Sequence, residues 1–148
     1  MIIEIDDREP RSIEALAIVV DDKMQFMRNR LNEGDYVWQD ICVERKQIDD
    51  FCSSLMSGRL EKQLEKMKLK YKKIYLIVVG RIKDRTSEIH EHSILGMMVS
   101  CLIKHNISLL VVDDEFQFLY VLKRIMERWK EKYDQELVEE LVNVTGDK

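Results

Sequence analysis

Two short apolar runs constrain the fold of this chain more than any other feature of its sequence. Ile74–Val79 and Ser108–Val112 have the length of a strand and almost no polar face, which is typical of buried strands in a parallel sheet. Between them, Glu88–His105 is apolar on most sides, so we expect a buried helix that ends near Asn106. Strand, helix and strand in this order predict an α/β domain.

The rest of the chain also reads as strands and helices. Turn residues and hydrophobic periodicity predict a strand at Met1–Asp6, a helical segment at Ile13–Val20, a strand at Met24–Leu31, a hairpin of Asp35–Trp38 and Ile41–Arg45, a helical stretch at Gln47–Tyr71 that Gly58 breaks in two, and a final helix from Asp114 to between Tyr133 and Val142. The predicted α/β fold is a mixed central sheet flanked by helices, antiparallel in its first half and parallel at its end.

The composition fits one globular domain and excludes several other classes. The chain has 148 residues, 45% of them hydrophobic and 35% charged, which is enough for one core. No apolar run reaches the ~18–20 residues that span a bilayer, and the acidic start differs from a signal peptide. We therefore expect an intracellular protein, in the cytoplasm or nucleoid or in a nucleus, with no membrane partner. Its three cysteines lack zinc-site spacing and are expected to be reduced thiols.

The charged residues are unevenly distributed, although the net charge is only −4. Arg59–Lys73 carries seven basic side chains against two acidic ones, whereas Glu131–Lys148 carries six acidic against two basic. This separation predicts a directional electric field. Arg59 and Lys62 are the best candidates for contacts with DNA phosphates, and a solvated helix face is the alternative for the rest of the basic stretch.

The final helix has more apolar side chains than one helix face can hold. From Phe116 to Leu122, almost two turns have no polar face. Such a helix needs cover beyond one sheet. A subunit interface and a large core of its own are both consistent with this pattern.

The predicted hairpin carries charged residues that can act together. If Asp35 opens its first strand and Glu44 closes its second, both carboxylates meet at one end of the sheet. Lys46 lies two residues after Glu44 and therefore points to the same face. Carboxylate oxygens suit Mg²⁺ or Mn²⁺, and metal-assisted phosphodiester cleavage uses such ligands with a nearby lysine. For these three residues alone, the alternative is a solvated strand edge.

Further residues extend this pattern along the chain. Asp6-x-Arg8-Glu9 follows the first strand, and Gly34-Asp35, Glu44-Arg45-Lys46 and Asp50 follow in order, with Phe51, Gly58-Arg59 and Gln63 in the next helical stretch. Together they resemble the nuclease domain of the XPF/Hef family of structure-specific DNA endonucleases. The resemblance covers about residues 1–130, which is nearly the whole chain.

The resemblance implies a restriction-endonuclease-like fold and an activity. The expected activity is Mg²⁺- or Mn²⁺-dependent cutting of branched or single-strand/duplex junction DNA, such as flaps, forks and splayed arms, in DNA repair and recombination. It implies that Asp6, Asp35 and Glu44 bind the metal and that Lys46 lies beside the attacked phosphate. It also implies a homodimer through the later helices.

Four other residues match active-site positions of the family, and they are Arg8, Glu9, Arg45 and Asp50. On a regular strand Arg45 faces away from Lys46, so we expect it to pair with Asp50 or Glu9.

The chain also departs from the family pattern. It has neither the helix-hairpin-helix turns that usually follow the nuclease domain nor a helicase motif. We interpret 1–133 as a nuclease domain and 134–148 as an acidic helical tail or the start of a linker. Either the chain is a stand-alone or trimmed nuclease domain, or a partner supplies the helix-hairpin-helix module. The alternatives are an inactive nuclease-like scaffold or DNA-binding subunit that supports a partner, and a four-way-junction resolvase or restriction nuclease.

Overall fold

The computed structural model describes residues 1–145, which form a six-stranded sheet and five α-helices. In chain order the elements are β1 (Ile2–Asp6), α1 (Ser12–Val20), β2 (Gln25–Asn29), β3 (Tyr36–Trp38), β4 (Ile41–Gln47), α2 (Ile48–Ser57), α3 (Arg59–Lys70), β5 (Lys73–Val79), α4 (Glu91–Ile103), β6 (Ser108–Val112) and α5 (Glu115–Thr145). A short 3₁₀ turn at Ile82–Asp84 precedes α4.

The sheet is more parallel than the sequence predicts. Its strand order is β2-β1-β3-β4-β5-β6, and among the described strands only β3 runs against its neighbours. The prediction of an antiparallel first half is therefore wrong for β2, which pairs parallel to β1. The physical reason is α1, which crosses over between the two strands and lets the chain return in the same direction.

Helices cover both faces of the sheet. On one face α1 and α5 pack over β1, β3 and β4, through residues such as Ile5, Ile13 and Phe118. On the other face α2, α3 and α4 pack over β4 and β5, through Phe51, Leu64 and Ile94. The three cysteines are buried and free, as predicted.

Gly58 divides the long helical stretch in two, as predicted. Its backbone is left-handed, with φ 75°, and its N–H caps α2 by donating to the Leu55 carbonyl. Glycine adopts this conformation without steric cost, and the chain can therefore change direction before α3 starts.

Two elements at one side of the sheet, β6 and α4, are less buried than predicted. β6 is an edge strand, with Leu110 37% and Val111 44% exposed, and α4 leaves Val99 and Leu102 exposed. Periodicity cannot distinguish an edge strand from a central one, which is why both predictions of burial are wrong. Helix α5 packs Phe118 into the core of this chain and leaves Phe116 exposed. The subunit interface that the sequence left open stays a prediction.

Helix α5 continues without a break through position 134 to Thr145. The division of the chain at 133/134 stays a prediction, and residues 146–148 of the predicted tail lie outside the described residues. Within the part of the chain that the structure describes, no helix is long and apolar enough to cross a membrane.

Candidate active site

All ten residues that the sequence predicts for the site line one cleft. The cleft has a volume of about 720 Å³ and lies at the edge of the sheet where β1 and β4 end. The predicted residues along it are Asp6, Arg8, Glu9, Asp35, Glu44, Arg45, Lys46, Asp50, Arg59 and Lys62. Their proximity is a property of the fold, whereas their roles in catalysis stay predictions.

Main-chain contacts bring Asp35 to this edge. Gly34 precedes it with φ +85°, and a Cβ at that position would collide with Sγ of Cys42, so only glycine fits the turn. The Asp6 N–H then donates to the Asp35 carbonyl at 2.8 Å, and the Asp35 N–H donates to the Val43 carbonyl at 3.3 Å. The ends of β1, β3 and β4 are thereby joined beside the cleft.

The carboxyl groups of Asp35 and Glu44 lie close enough in the cleft for each to change the pKa of the other. Glu44 is only 4% exposed, and its Oε2 is buried with no hydrogen-bond partner. Oδ2 of Asp35 accepts the Arg45 N–H at 2.8 Å. Burial raises the pKa of Asp35 to about 6. Burial and the adjacent Asp35 raise the pKa of Glu44 well above its usual range, against the opposing charge of Lys46.

Asp6 is held differently from this pair. Its Oδ2 accepts from Nε of Arg8 at 2.8 Å, and its Oδ1 accepts from the Leu31 N–H at 3.0 Å. Burial works against ionisation, but these hydrogen bonds outweigh it and lower the pKa of Asp6. Its carboxylate is therefore ionised and already has partners.

A divalent cation fits the pair of Asp35 and Glu44 better than it fits the predicted set of Asp6, Asp35 and Glu44. The described residues contain no group of three or more His, Cys, Asp or Glu side chains arranged to hold a metal ion. The carboxylate of Asp6 accepts hydrogen bonds from Arg8 and Leu31. Asp35 and Glu44 do suit a hard cation, since two buried like charges and an oxygen without a partner favour a positive ion between them.

Arg45 pairs with Glu9 and not with Asp50. Its Nε and Nη2 donate to the two carboxylate oxygens of Glu9 at 2.8 and 3.3 Å. Of the two partners expected from the strand pattern, the fold selects Glu9, while Asp50 is exposed at the start of α2.

A cationic wall faces the carboxylates across the cleft. Arg59 and Lys62 lie on α3, and Lys66 lies one turn further along the same helix. The spacing of these residues places them on one helix face, which is the signal in the sequence that could have added Lys66 to the candidates. DNA binding by Arg59 and Lys62 stays a prediction.

The sequence gives no signal for two other polar residues near the site. Glu115 begins α5, 70 residues after Arg45, and accepts a hydrogen bond from Nη1 of Arg45 at 2.8 Å. Gln47, the last residue of β4, donates to the same oxygen of Glu115. An acidic residue in the first turn of a helix is common for reasons of helix polarity alone, so nothing in the pattern marks Glu115.

Three comparisons relate this chain to known proteins. The family model described as the ERCC4 domain matches residues 5–125. The 3'-flap repair endonuclease Xpf of Saccharolobus solfataricus is 29% identical over 139 residues, which are 88% of this chain and 57% of that protein. The DNA repair endonuclease XPF of Drosophila melanogaster is 37% identical over 75 residues, which are 50% of this chain and 8% of that protein.

A solved structure agrees with the fold. The structure of XPF from Aeropyrum pernix in complex with DNA has a TM-score of 0.78 and 27% sequence identity, and the match covers 88% of this chain and 66% of that one. The predicted restriction-endonuclease-like α/β fold is thereby confirmed. The chain spans little more than half of the Saccharolobus relative and less than a tenth of the Drosophila one.

The carboxylate pair leads to a prediction about stability in the absence of metal. Because the pKa values of Asp35 and Glu44 are raised in the folded state, the folded protein keeps protons on these groups that the unfolded protein loses. The free energy of unfolding therefore falls as the pH rises from the pKa values of the unfolded state through those of the folded state. In Glu44→Gln the repulsion is gone and the amide can donate to Asp35. We expect this variant, in EDTA, to be more stable than wild type by on the order of 2 kcal/mol at pH 8, and the gain to shrink towards pH 5.

Thermal unfolding followed by circular dichroism between pH 5 and 8 measures this difference. Glu139→Gln, on the exposed far part of α5, is the matched control and should follow wild type at every pH. A Glu44→Gln variant less stable than wild type at pH 8 would show that the pair carries no uncompensated charge.

Proposed function

The chain belongs to the ERCC4 domain family, which confirms its resemblance to the XPF/Hef nuclease domain, and from this we propose that it is a metal-dependent, structure-specific DNA endonuclease. The observation that carries the proposal is the pair of half-buried Asp35 and buried Glu44, which lies beside Lys46 in a cleft that basic side chains of α3 also line. The predicted substrates are flaps, forks and splayed arms, in DNA repair and recombination inside the cell. The names of the relatives, a 3'-flap repair endonuclease among them, support this choice.

We propose that Asp35 and Glu44 hold a divalent ion, with Asp6 as the third predicted ligand. Bound Mg²⁺ or Mn²⁺ supplies Lewis-acid chemistry, which polarises a phosphate and activates water. The oxygen ligands suit either ion, and the unpartnered Oε2 of Glu44 is the position where a cation is most favoured.

The protein's own cations act on the DNA in this proposal. Lys46 orients the attacking water or stabilises the negative charge that grows on phosphorus. Arg59, Lys62 and Lys66 contact backbone phosphates, so that binding is salt-sensitive and independent of sequence. Shape and flexibility of the duplex, and not base edges, then select the cutting position.

A second candidate is a nuclease-like subunit that binds DNA without cutting it. One observation favours it: the carboxylate of Asp6 is already engaged by Arg8 and Leu31, so that a three-carboxylate set is not assembled. The same cleavage assay separates the two candidates.

Cleavage of labelled branched DNA tests the proposal. With Mg²⁺ or Mn²⁺ we expect wild type to cut flap, fork or splayed-arm substrates in preference to a four-way junction. Asp35→Asn, Glu44→Gln and Lys46→Met should each lower the rate by about 100-fold or more, because each removes a charge from the reaction centre. Glu139→Gln should cut as wild type does. If wild type cuts no branched DNA, the proposed activity is contradicted. If wild type cuts and none of the three variants is slower, the proposed site is contradicted.

We also propose that the chain forms a homodimer through the apolar surface at the β6 edge. This surface, which we call the edge face, is formed by Val99, Leu102, Val111, Phe116 and Tyr120, all exposed. These residues belong to α4, β6 and α5, and β6 contacts both helices. Exposed apolar side chains on neighbouring elements are typical of subunit interfaces. The partner expected to bring a helix-hairpin-helix module stays a prediction.

Sedimentation equilibrium measures this assembly. Wild type should have twice the chain mass of 17.7 kDa, and Tyr120→Glu should be a folded monomer because it places a charge in the edge face. Val138→Glu adds the same charge to an exposed apolar position further along α5 and should stay dimeric. A monomeric wild type would contradict the proposal, and so would an unchanged Tyr120→Glu.

A further inference from the structure

The side chain of Arg45 is fixed between two carboxylates from distant parts of the chain. Its Nε lies 2.8 Å from Oε1 of Glu9 and its Nη1 lies 2.8 Å from Oε1 of Glu115, and only 9% of the side chain is exposed. Bidentate contact with Glu9 and a further contact with Glu115 leave the guanidinium little freedom to move.

Glu115 holds β4 at two points, one on each side of Lys46. Its Oε1 accepts from Nη1 of Arg45 at 2.8 Å and from Nε2 of Gln47 at 2.5 Å. The neighbours of Lys46 on both sides are therefore tied to one oxygen atom. Because alternate residues of a strand point to opposite faces, fixing residues 45 and 47 fixes the direction in which Lys46 points.

The packing of helix α5 fixes the position of Glu115. Asp114 caps the helix by accepting the Gln117 N–H at 2.9 Å, and Oε1 of Gln117 accepts the Asp113 N–H in return. One turn along, Phe118 packs against Tyr36 of β3 with ring centroids 5.1 Å apart, and both are fully buried. The position of Glu115 relative to the sheet is thus set by the core and not by the exposed surface.

We propose that Glu115 is a positioning residue for DNA cleavage: by holding Arg45 and Gln47 it keeps Lys46 and Glu44 aligned in the cleft. The inference rests on the proposed function. We call Glu115 a positioning residue because it acts through Arg45 and Gln47, whose side chains donate to its carboxylate.

The test compares cleavage by Glu115→Ala, Glu115→Gln and Asp114→Ala. Asp114→Ala is the matched control, because it removes the helix cap and lowers Tm without removing a partner of Arg45. Rates are measured on one forked duplex with Mn²⁺, at a temperature at which every variant is folded by circular dichroism, and kcat and KM are determined separately.

We expect Glu115→Ala to lower kcat by about 10- to 100-fold with KM for DNA nearly unchanged, because a small misplacement of reacting groups has this effect. Glu115→Gln, whose amide oxygen can still accept a hydrogen bond, should recover part of the loss. Asp114→Ala should lower Tm but lose much less kcat than Glu115→Ala, because Phe118 still packs the first turn of α5 into the core. A merely structural role for Glu115 would move Tm and leave kcat unchanged.

Three results would overturn the inference. If wild type cuts and Glu115→Ala keeps its kcat, the inference fails while the proposed function stands. If Asp114→Ala loses as much kcat as Glu115→Ala, the effect belongs to the helix end and not to Glu115. If wild type cuts no branched DNA, both the proposed function and the inference fail. Should Glu115→Ala not fold, Glu115→Met, which keeps the side-chain length but lacks a carboxylate oxygen, takes its place in the same comparison.

Discussion

The contact between two acidic groups inside the protein is the interaction on which this account depends. Asp35 is half-buried and Glu44 is buried, each carboxyl group changes the pKa of the other, and one oxygen of Glu44 has no partner. A buried charge without compensation is costly, and two of the same sign are more so. A fold retains such a pair at low cost only if the groups hold protons or share a cation. The nearby ammonium of Lys46 compensates part of the charge, and the cleft leaves room for an ion.

The direction of one strand creates this contact. β1 and β4 run parallel and end at the same edge of the sheet, so that Asp6 and Lys46 both lie near that edge. β3 runs the other way, and therefore its first residues, and not its last, lie there. Asp35 precedes β3 directly and is joined by main-chain hydrogen bonds to Asp6 and Val43. Without the antiparallel strand, Asp35 would lie at the opposite edge from Glu44.

The hairpin and the break at Gly58 could be predicted because each depends on local sequence, whereas the wider cluster of site residues could be predicted only through the family resemblance. Strand alternation after a short turn brings Asp35 and Glu44 together, and glycine allows the left-handed residue between α2 and α3. What could not be predicted depends on position in the whole fold. β6 has the composition of a central strand but lies at the edge, and Glu115 reaches Arg45 only because α5 packs across the sheet. An apolar segment is predicted to be buried, but its sequence does not indicate which part of the fold, or which partner, buries it.

Binding of Mn²⁺ to metal-free protein at pH 8, followed by electron paramagnetic resonance, tests the central claim most directly. The signal of free Mn²⁺ should decrease in a saturable way on addition of wild-type protein, and Mg²⁺ should compete for the same site. Asp35→Asn should leave the signal unchanged at the same protein concentration, because one of the two buried charges is gone. If wild type binds no Mn²⁺, or if Asp35→Asn binds it as tightly as wild type, then the contact between Asp35 and Glu44 is not a cation site.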